Sequence, residues 1–340
     1  MKTLVTGATG YVGHNLALSL AQNGNMVNIL VRNTNSPLIP QHPLIRIFAG
    51  DITKKETILP AIENCDTVFH TAALVRFCSR RPTDFYDINV EGTRHMLDAA
   101  LKAGVKKFVF TSTGGVIGPS LHKEMSENYP RVAGFTNDYD LSKFLAEKLV
   151  KEYADLGLHT VIVTSTKVFG PGIDKHQLSV NSVIRRFISG KISFCPRPDD
   201  FVSNYVFIDD LVKGHLLAAV RGIKGEKYII GGENLSYKEF FEKLRQVSGM
   251  RGIIIPMPKS IAALYGGLHF IQRRLIGKDP FFNSKAVSQI YCNKSFTSAK
   301  AIDELGYSIA PFTAALQRTI HSFKIELHAK QRLYPHYRVQ

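Results

Sequence analysis

The stretch that most constrains this chain is its beginning. Lys2-Thr3-Leu4-Val5-Thr6 is an apolar, β-branched run, Gly7, Gly10 and Gly13 follow at three-residue spacing, and an apolar pattern through Leu16, Leu20 and Ala21 comes next. That order reads as a strand, a tight turn and a helix. Glycines leave the backbone bare, and a helix amino terminus offers unpaired N–H groups at the positive end of its dipole. The pyrophosphate of a dinucleotide needs such donors at close range. Gly7, Thr9, Gly10, Tyr11, Val12 and Gly13 are therefore the expected phosphate contacts, with Gly13 letting the helix lie close on the strand.

Further strands are expected at Met26–Val31, Ile45–Phe48, Thr67–His70 and from Lys106 to Ser112-Thr113, with helical stretches between them. Regular alternation implies parallel pairing through right-handed crossovers, and in such sheets ligands sit beyond the carboxyl ends of the strands. Arg32 falls at one of these ends, where a dinucleotide fold reads the adenosine ribose. The first acidic residue of the chain is Asp51. No carboxylate is thus available there for both ribose hydroxyls, and Arg32 supplies a cation for a 2′-phosphate, which favours NADP(H) over NAD(H). A solvent-facing Arg32, with NAD held through Asn33 or the backbone, is the alternative. Asp51 either accepts from the adenine amino group or caps a helix beginning near Thr53. Thr71-Ala72-Ala73 are small residues that admit a ligand to the backbone.

Tyr139 and Lys143 open an amphipathic helix four residues apart, on one face. A phenol titrates near ~10, too high for efficient proton transfer at neutral pH, and a neighbouring ammonium lowers that value. The pair is expected to work as a tunable proton donor.

Taken together, the glycine turn, Asp51, Thr71-Ala72-Ala73, Asn89 within Asn-Val-Glu-Gly-Thr, Ser112-Thr113 and Tyr139/Lys143 occur in an order that resembles the extended short-chain dehydrogenase/reductases. The resemblance runs nearly end to end through Val168-Phe169-Gly170-Pro171-Gly172, Val206-Phe207-Ile208-Asp209-Asp210 and Asp303-Glu304-Leu305-Gly306-Tyr307, and is nearest to the dihydroflavonol reductase and 3β-hydroxysteroid dehydrogenase branch. It implies an α/β, Rossmann-type doubly wound parallel sheet over residues 1–168, completed by about 203–232, with Tyr205–Ile208 returning to that sheet. A smaller C-terminal substrate-binding region would span 169–202 and 233–325, and 326–340 would be a basic tail. It implies Tyr139 as general acid or base, Lys143 on the nicotinamide ribose, Thr113 (or Ser112) on the reacting oxygen and Asn89 steadying the helix. Ile52, Ser112 and Val168 would add cofactor contacts. The implied activity is reduction of a ketone or oxidation of a secondary alcohol on a small, largely apolar substrate. A nucleotide-sugar epimerase with tightly held NAD is the alternative, and a cofactor-binding regulatory protein a third. Gly114-Gly115 stands where dehydratases carry an acidic pair, which argues against dehydration. A homodimer through the helices bearing Asn89 and Tyr139 is also implied.

The second half alternates less regularly. Helices are expected at Asn181–Ser189 and Tyr237–Ser248, while Ile254–Ile276 reads as a substrate lid, a surface helix touching anionic lipid, or a helix packed in a small core. No stretch approaches the ~20 apolar residues of a membrane span. The start in a structural strand leaves no room for a secretory leader, so a cytoplasmic protein is expected. Cys65, Cys78, Cys195 and Cys292 are spaced as reduced thiols rather than as a zinc site, and no metal is expected. The net charge of +15 is scattered, which suits a solvated surface and attraction of a phosphorylated cofactor. His321–Gln340 interleaves basic and aromatic residues without a sustained apolar period; a surface terminus is the expected meaning, with no nucleic-acid partner.

Overall fold

The computed structural model describes residues 1–76, 79, 81–121, 123–173, 179–277, 287 and 289–333. Its first half runs β1 (Lys2–Thr6), α1 (Tyr11–Gln22), β2 (Met26–Val31), β3 (Ile45–Ala49), α2 (Leu59–Ile62), β4 (Thr67–His70), α3 (Thr83–Tyr86), α4 (Gly92–Lys102), β5 (Lys107–Thr113), α5 (Asp138–Asp155) and β6 (Thr160–Ser165). With β10 (Lys227–Ile230) these strands form one seven-stranded sheet, ordered β10-β6-β5-β4-β1-β2-β3. All six pairings are parallel. Strand period puts successive side chains on opposite faces, so Leu4 and Val5, both fully buried, enter two different apolar clusters. One holds Leu16 and Leu20 of α1, the other Met96, Leu97 and Val150 of α4 and α5. Both faces are covered, as an all-parallel sheet requires.

The order reverses at β1, which lies between β4 and β2. A crevice therefore opens at the carboxyl ends of β1 and β4, where the first turn and Thr71 leave the sheet in opposite directions.

The remaining elements are β7 (Lys167–Phe169), α6 (Val180–Ile188), β8 (Ser193–Arg197), β9 (Val202–Phe207), α7 (Ile208–Arg221), β11 (Glu233–Ser236), α8 (Tyr237–Ser248), β12 (Ile254–Pro258), α9 (Lys259–Leu275) and helices Ala299–Leu305 and Phe312–Leu333. Here the structure corrects three sequence expectations. Tyr205–Ile208 does not return to the main sheet: β9 is the middle strand of a second sheet, β11-β9-β7. The physical reason is that β6 already has β5 on one edge and β10 on the other, so β10 alone completes the main sheet from this stretch. No regular helix starts near Thr53; a single 3₁₀ turn, Lys55–Thr57, precedes α2. The stretch from His321 is not a loose terminus as far as residue 333: it continues the helix Phe312–Leu333, with Phe323 buried and Arg185 paired with Glu326 at 2.6 Å. Of the tail, residues 334–340 lie outside the described residues, as does Cys78; the described cysteines are free.

One buried group links the two halves of the crevice. His70, at the end of β4, meets Thr6 Oγ1 of β1 at 2.7 Å through Nδ1 and Thr93 Oγ1 of α4 at 3.0 Å through Nε2. It is wholly buried, and burial pushes its pKa down to about 3, with the Lys143 charge adding to the effect. The unfolded chain therefore binds a proton near pH 6.5 that the folded chain refuses until about pH 3, so stability is lost as pH falls through that window. Chemical denaturation of the wild type and of His70→Gln, compared between pH 7 and pH 4, should show a wild-type loss steeper by roughly 2–4 kcal/mol. Parallel curves would contradict this assignment.

Candidate active site

The first turn is held by contacts no larger residue could keep. Gly7 has φ +76°, a left-handed conformation that favours glycine, and its carbonyl accepts from Gly10 N at 2.8 Å. A Cβ on Gly7 would lie 2.7 Å from Ala72 N, and one on Gly13 would lie 2.4 Å from Gly7 O. Thr71 fills the remaining space, its hydroxyl donating to Thr6 O at 2.7 Å. Helix α1 starts with Gly10 at its N-cap, with no side chain capping it and no acidic residue in its first turn. Its first N–H groups and dipole are thus left for an anion. Thr9, Tyr11 and Val12 border this turn, each half-buried. The Tyr11 hydroxyl also donates to Gly170 O at 2.8 Å, tying the turn to the segment after β7.

Arg32 stands exposed just past β2, as the spacing predicts. Asp51 is engaged locally: its Oδ1 accepts from Thr53 N and Thr53 Oγ1, both at 3.0 Å. Of its two sequence roles, the structure shows the capping one, though of a turn rather than a helix. Ile52 is buried against Gly92, while Ala72 and Ala73 follow Thr71 along the crevice, both half-buried.

Two elements, β5 and α5, bring the reacting groups together. Thr113 ends β5 opposite Ser165 of β6, and its Oγ1 accepts from Gly115 N at 3.3 Å as β5 gives way to a 3₁₀ turn. Asn137 caps α5 by accepting from Asp140 N at 2.7 Å, which fixes where the helix begins and hence where Tyr139 points. The Tyr139 phenol, half-buried, lies beside the Thr113 side chain. Burial, and next the Asp140 carboxylate, push that phenol well above its usual range, and the Thr113 hydroxyl opposes them. This corrects the expectation that Lys143 lowers it. Lys143 is only 2 % exposed and its ammonium lies 3.8 Å from the centroid of the Phe110 ring, on the sheet side of the helix. Burial lowers Lys143 to about 7, with Glu147 opposing. Ser112 is buried beside Thr113, its hydroxyl without a hydrogen-bond partner in the protein. Val168 lies on β7 opposite Val206, outside the main sheet.

Asn89 sits in a π-helical turn, Asp87–Glu91, a local widening that recurs at functional sites. Its Oδ1 accepts from Leu74 N at 2.7 Å, and its Nδ2 donates to Leu74 O at 3.2 Å and Ser142 Oγ at 2.9 Å. Ser142 in turn donates to Tyr139 O at 2.8 Å. The chain of contacts runs from the crevice loop to the first turn of α5. Ser142 and Asn137 were not singled out from sequence; Asn at the position before an amphipathic helix is a capping signal that would have found the second. Among the described residues, no cluster of His, Cys, Asp and Glu is placed to hold a metal ion.

Comparison with known proteins supplies the family. The model of the NAD dependent epimerase/dehydratase family matches residues 3–231. The chain belongs to that family. It is 30 % identical to sterol demethylase protein B of Methylococcus capsulatus over 333 residues, covering 95 % of this chain and 98 % of that protein. It is 28 % identical to a 3-beta-hydroxysteroid dehydrogenase of Mycolicibacterium neoaurum, covering 90 % and 86 %. The crystal structure of Thermotoga maritima UDP-glucose 4-epimerase shares the fold with a TM-score of 0.79 at 22 % identity, over 96 % of this chain and all of that one. The protein is thus an NAD(P)-dependent enzyme of the extended short-chain dehydrogenase/reductase type, in the hydroxysteroid dehydrogenase and dihydroflavonol reductase branch.

In this family member the residues present fit a dinucleotide. The glycine cradle that any Cβ would fill, the uncapped start of α1 and the orphaned Ser112 hydroxyl all face the same strand ends. Gly114-Gly115 is likewise explained by packing. A Cβ on Gly114 would lie 2.5 Å from the Phe296 ring, and one on Gly115 would lie 2.0 Å from Asp140 Oδ1. An acidic pair has no room there, and at Gly115 it would also confront a carboxylate. Asn89→Ala should strand the Leu74 amide and the Ser142 hydroxyl and cost about 2 kcal/mol of stability in urea titration. An unchanged midpoint would show that Asn89 holds nothing in place.

Proposed function

We propose that the protein is an NADP-preferring oxidoreductase that reduces a ketone, or oxidises a secondary alcohol, on a small and largely apolar molecule. The observation that carries this reading is the half-buried Tyr139 phenol, beside Thr113 at the end of β5 and one helical turn before the buried Lys143 on α5. A phenol is protonated at neutral pH, which is the form a general acid must have to give its proton away. A bound nicotinamide dinucleotide supplies the hydride, or receives it in the reverse direction. Thr113 and Tyr139 hold the substrate oxygen between two hydroxyls, and Tyr139 passes its proton to that oxygen as the carbon is reduced. Lys143, one helical turn further along α5 and titrating near 7, would hold the nicotinamide ribose. Gly7, Gly10 and the start of α1 would hold the pyrophosphate, with Ser112 and Val168 nearer the nicotinamide.

Preference for NADP rests on Arg32, which stands exposed where the adenosine ribose is read, in a chain whose first fifty residues contain no carboxylate. The apolar substrate is supported by relatives named for sterols and 3-beta-hydroxysteroids. The substrate would lie against the region built from residues 169–202 and 233–325. A nucleotide-sugar reading draws less support. The segment Ser203-Asn204-Tyr205 stands where many sugar-nucleotide enzymes place an arginine, and Asn204 is spent on Gly232 O at 2.8 Å and Asn234 Oδ1 at 2.9 Å.

Tyr139→Phe removes the proton but keeps the ring. We expect turnover of any carbonyl substrate found by screening to fall by about 10²–10⁴, while dinucleotide binding measured by fluorescence stays within a few-fold. A variant that turns over at near wild-type rate would overturn the assignment.

A further inference from the structure

Helix α9 is turned inside out for a helix of a globular domain. Only Ala262 and Gly266 are buried. Ile261, Leu264, Tyr265, Leu268, Ile271 and Leu275 keep between 56 and 82 % of their surface exposed. With 3.6 residues per turn these six fall within an arc of about 120°, opposite the buried pair. Of the three readings open from sequence, packing on a small core accounts for the Ala262 and Gly266 side and leaves this face unexplained. The two-stranded sheet whose β12 contacts α9 also exposes apolar side chains: Phe194 of β8 and Ile255 of β12 are register partners and remain 51 % and 39 % exposed. Exposed apolar surface of this kind marks an interaction site.

Charge says what covers it. The described residues 250–277 include Arg251, Lys259, Arg273 and Arg274 and no aspartate or glutamate. Lys259 and Arg274 are exposed at the two ends of the helix, about 22 Å apart at 1.5 Å per residue. A second copy of this chain would bring the same positive rim against itself, in a protein that already carries +15. An anionic bilayer surface complements both parts: acyl chains take the apolar stripe, and the long basic side chains reach the headgroups. No helix among the described residues is long and apolar enough to cross a membrane, so the helix would lie in the interface.

We propose that α9, with the Phe194–Ile255 surface beside it, is a docking face for anionic lipid bilayers. The inner side of α9 packs through Ala262 on Tyr291, Met257 and Phe201, and the Tyr237 hydroxyl, 3.1 Å from Lys167 Nζ, also bonds Ile290 O at 3.4 Å. The docking face and the substrate region thus share one small apolar cluster.

The test is flotation of the purified full chain with vesicles of phosphatidylcholine alone or mixed with phosphatidylglycerol. We expect recovery with the anionic vesicles, weaker recovery with neutral ones, and a drop of about tenfold for the double variant Leu264→Glu, Leu268→Glu. Both positions are exposed, so the variant should keep its melting temperature and dinucleotide binding, which separates loss of lipid binding from loss of fold or of the proposed activity. Lys259→Gln with Arg274→Gln should weaken the anionic preference alone. Absence of wild-type flotation at low salt overturns the proposal. So does equal flotation of the glutamate variant, and so does a wild-type dimer that those glutamates dissociate while neither form binds vesicles.

Discussion

Between the ends of β1 and β4 the backbone of the first turn, the start of α1 and the Thr71 hydroxyl press together at distances that leave room for hydrogen atoms and nothing more. Gly7 and Gly13 are the residues that make this approach possible, since a Cβ on either would sit within 2.8 Å of neighbouring backbone. That closeness lets the uncapped end of α1 stand directly over the crevice at the point where strand order reverses. Everything proposed about the site inherits this geometry. The strands are parallel, so Thr6, His70, Thr113 and Ser165 all end on the same side, and the turn decides that an anion belongs there.

Burial, more than pairwise charge, sets the chemistry above the turn. Lys143 and His70 are enclosed and Tyr139 is half-buried, and in each case loss of hydration is the largest influence, moving the phenol up and the two bases down. Each pK unit corresponds to about 1.4 kcal/mol, so these shifts outweigh what a surface ion pair contributes. The result is a site whose groups are neutral or near their titration point at pH 7, an arrangement suited to moving one proton. Hydrogen bonds then fix direction: Asn137 sets the start of α5, and Asn89 with Ser142 ties that start to the crevice loop.

Much of this was legible in the sequence because its signals are local. A β-branched run, a glycine turn and an amphipathic repeat each act over a few residues, and β1 to β5 fall close to where those patterns put them. The candidate residues converged for the same reason, since parallel strands gather their own carboxyl ends. What stayed hidden depends on contacts between distant segments. Nothing in Val202–Phe207 reveals that β6 has no free edge, so the departure of β9 to a second sheet could not be read. The direction of Lys143 was equally out of reach: four-residue spacing puts it on one face with Tyr139, but Phe110 on β5 receives its ammonium. The apolar outer face of α9 could be seen in sequence as a pattern, yet only the packing of Ala262 and Gly266 shows which side points inward.

The second region differs from the first in how it is held. Its core is a set of aromatic contacts, with Phe240 stacked on Tyr205 at 5.0 Å and Phe312 against Phe169 at 4.9 Å, between segments far apart in the chain. The central claim, that Arg32 and an acid-free first strand pair make this an exchanging NADP enzyme, is tested most directly by the dinucleotide the protein keeps. The purified protein, with no nucleotide added, is denatured and the released small molecules are identified by mass spectrometry, and the native protein is then titrated with NADPH and NADH. The account predicts little or no retained dinucleotide and NADPH binding at least about tenfold tighter than NADH, the effect of one well-placed charge contact. Stoichiometric NAD released on denaturation would contradict it and favour an enzyme that keeps and recycles its cofactor.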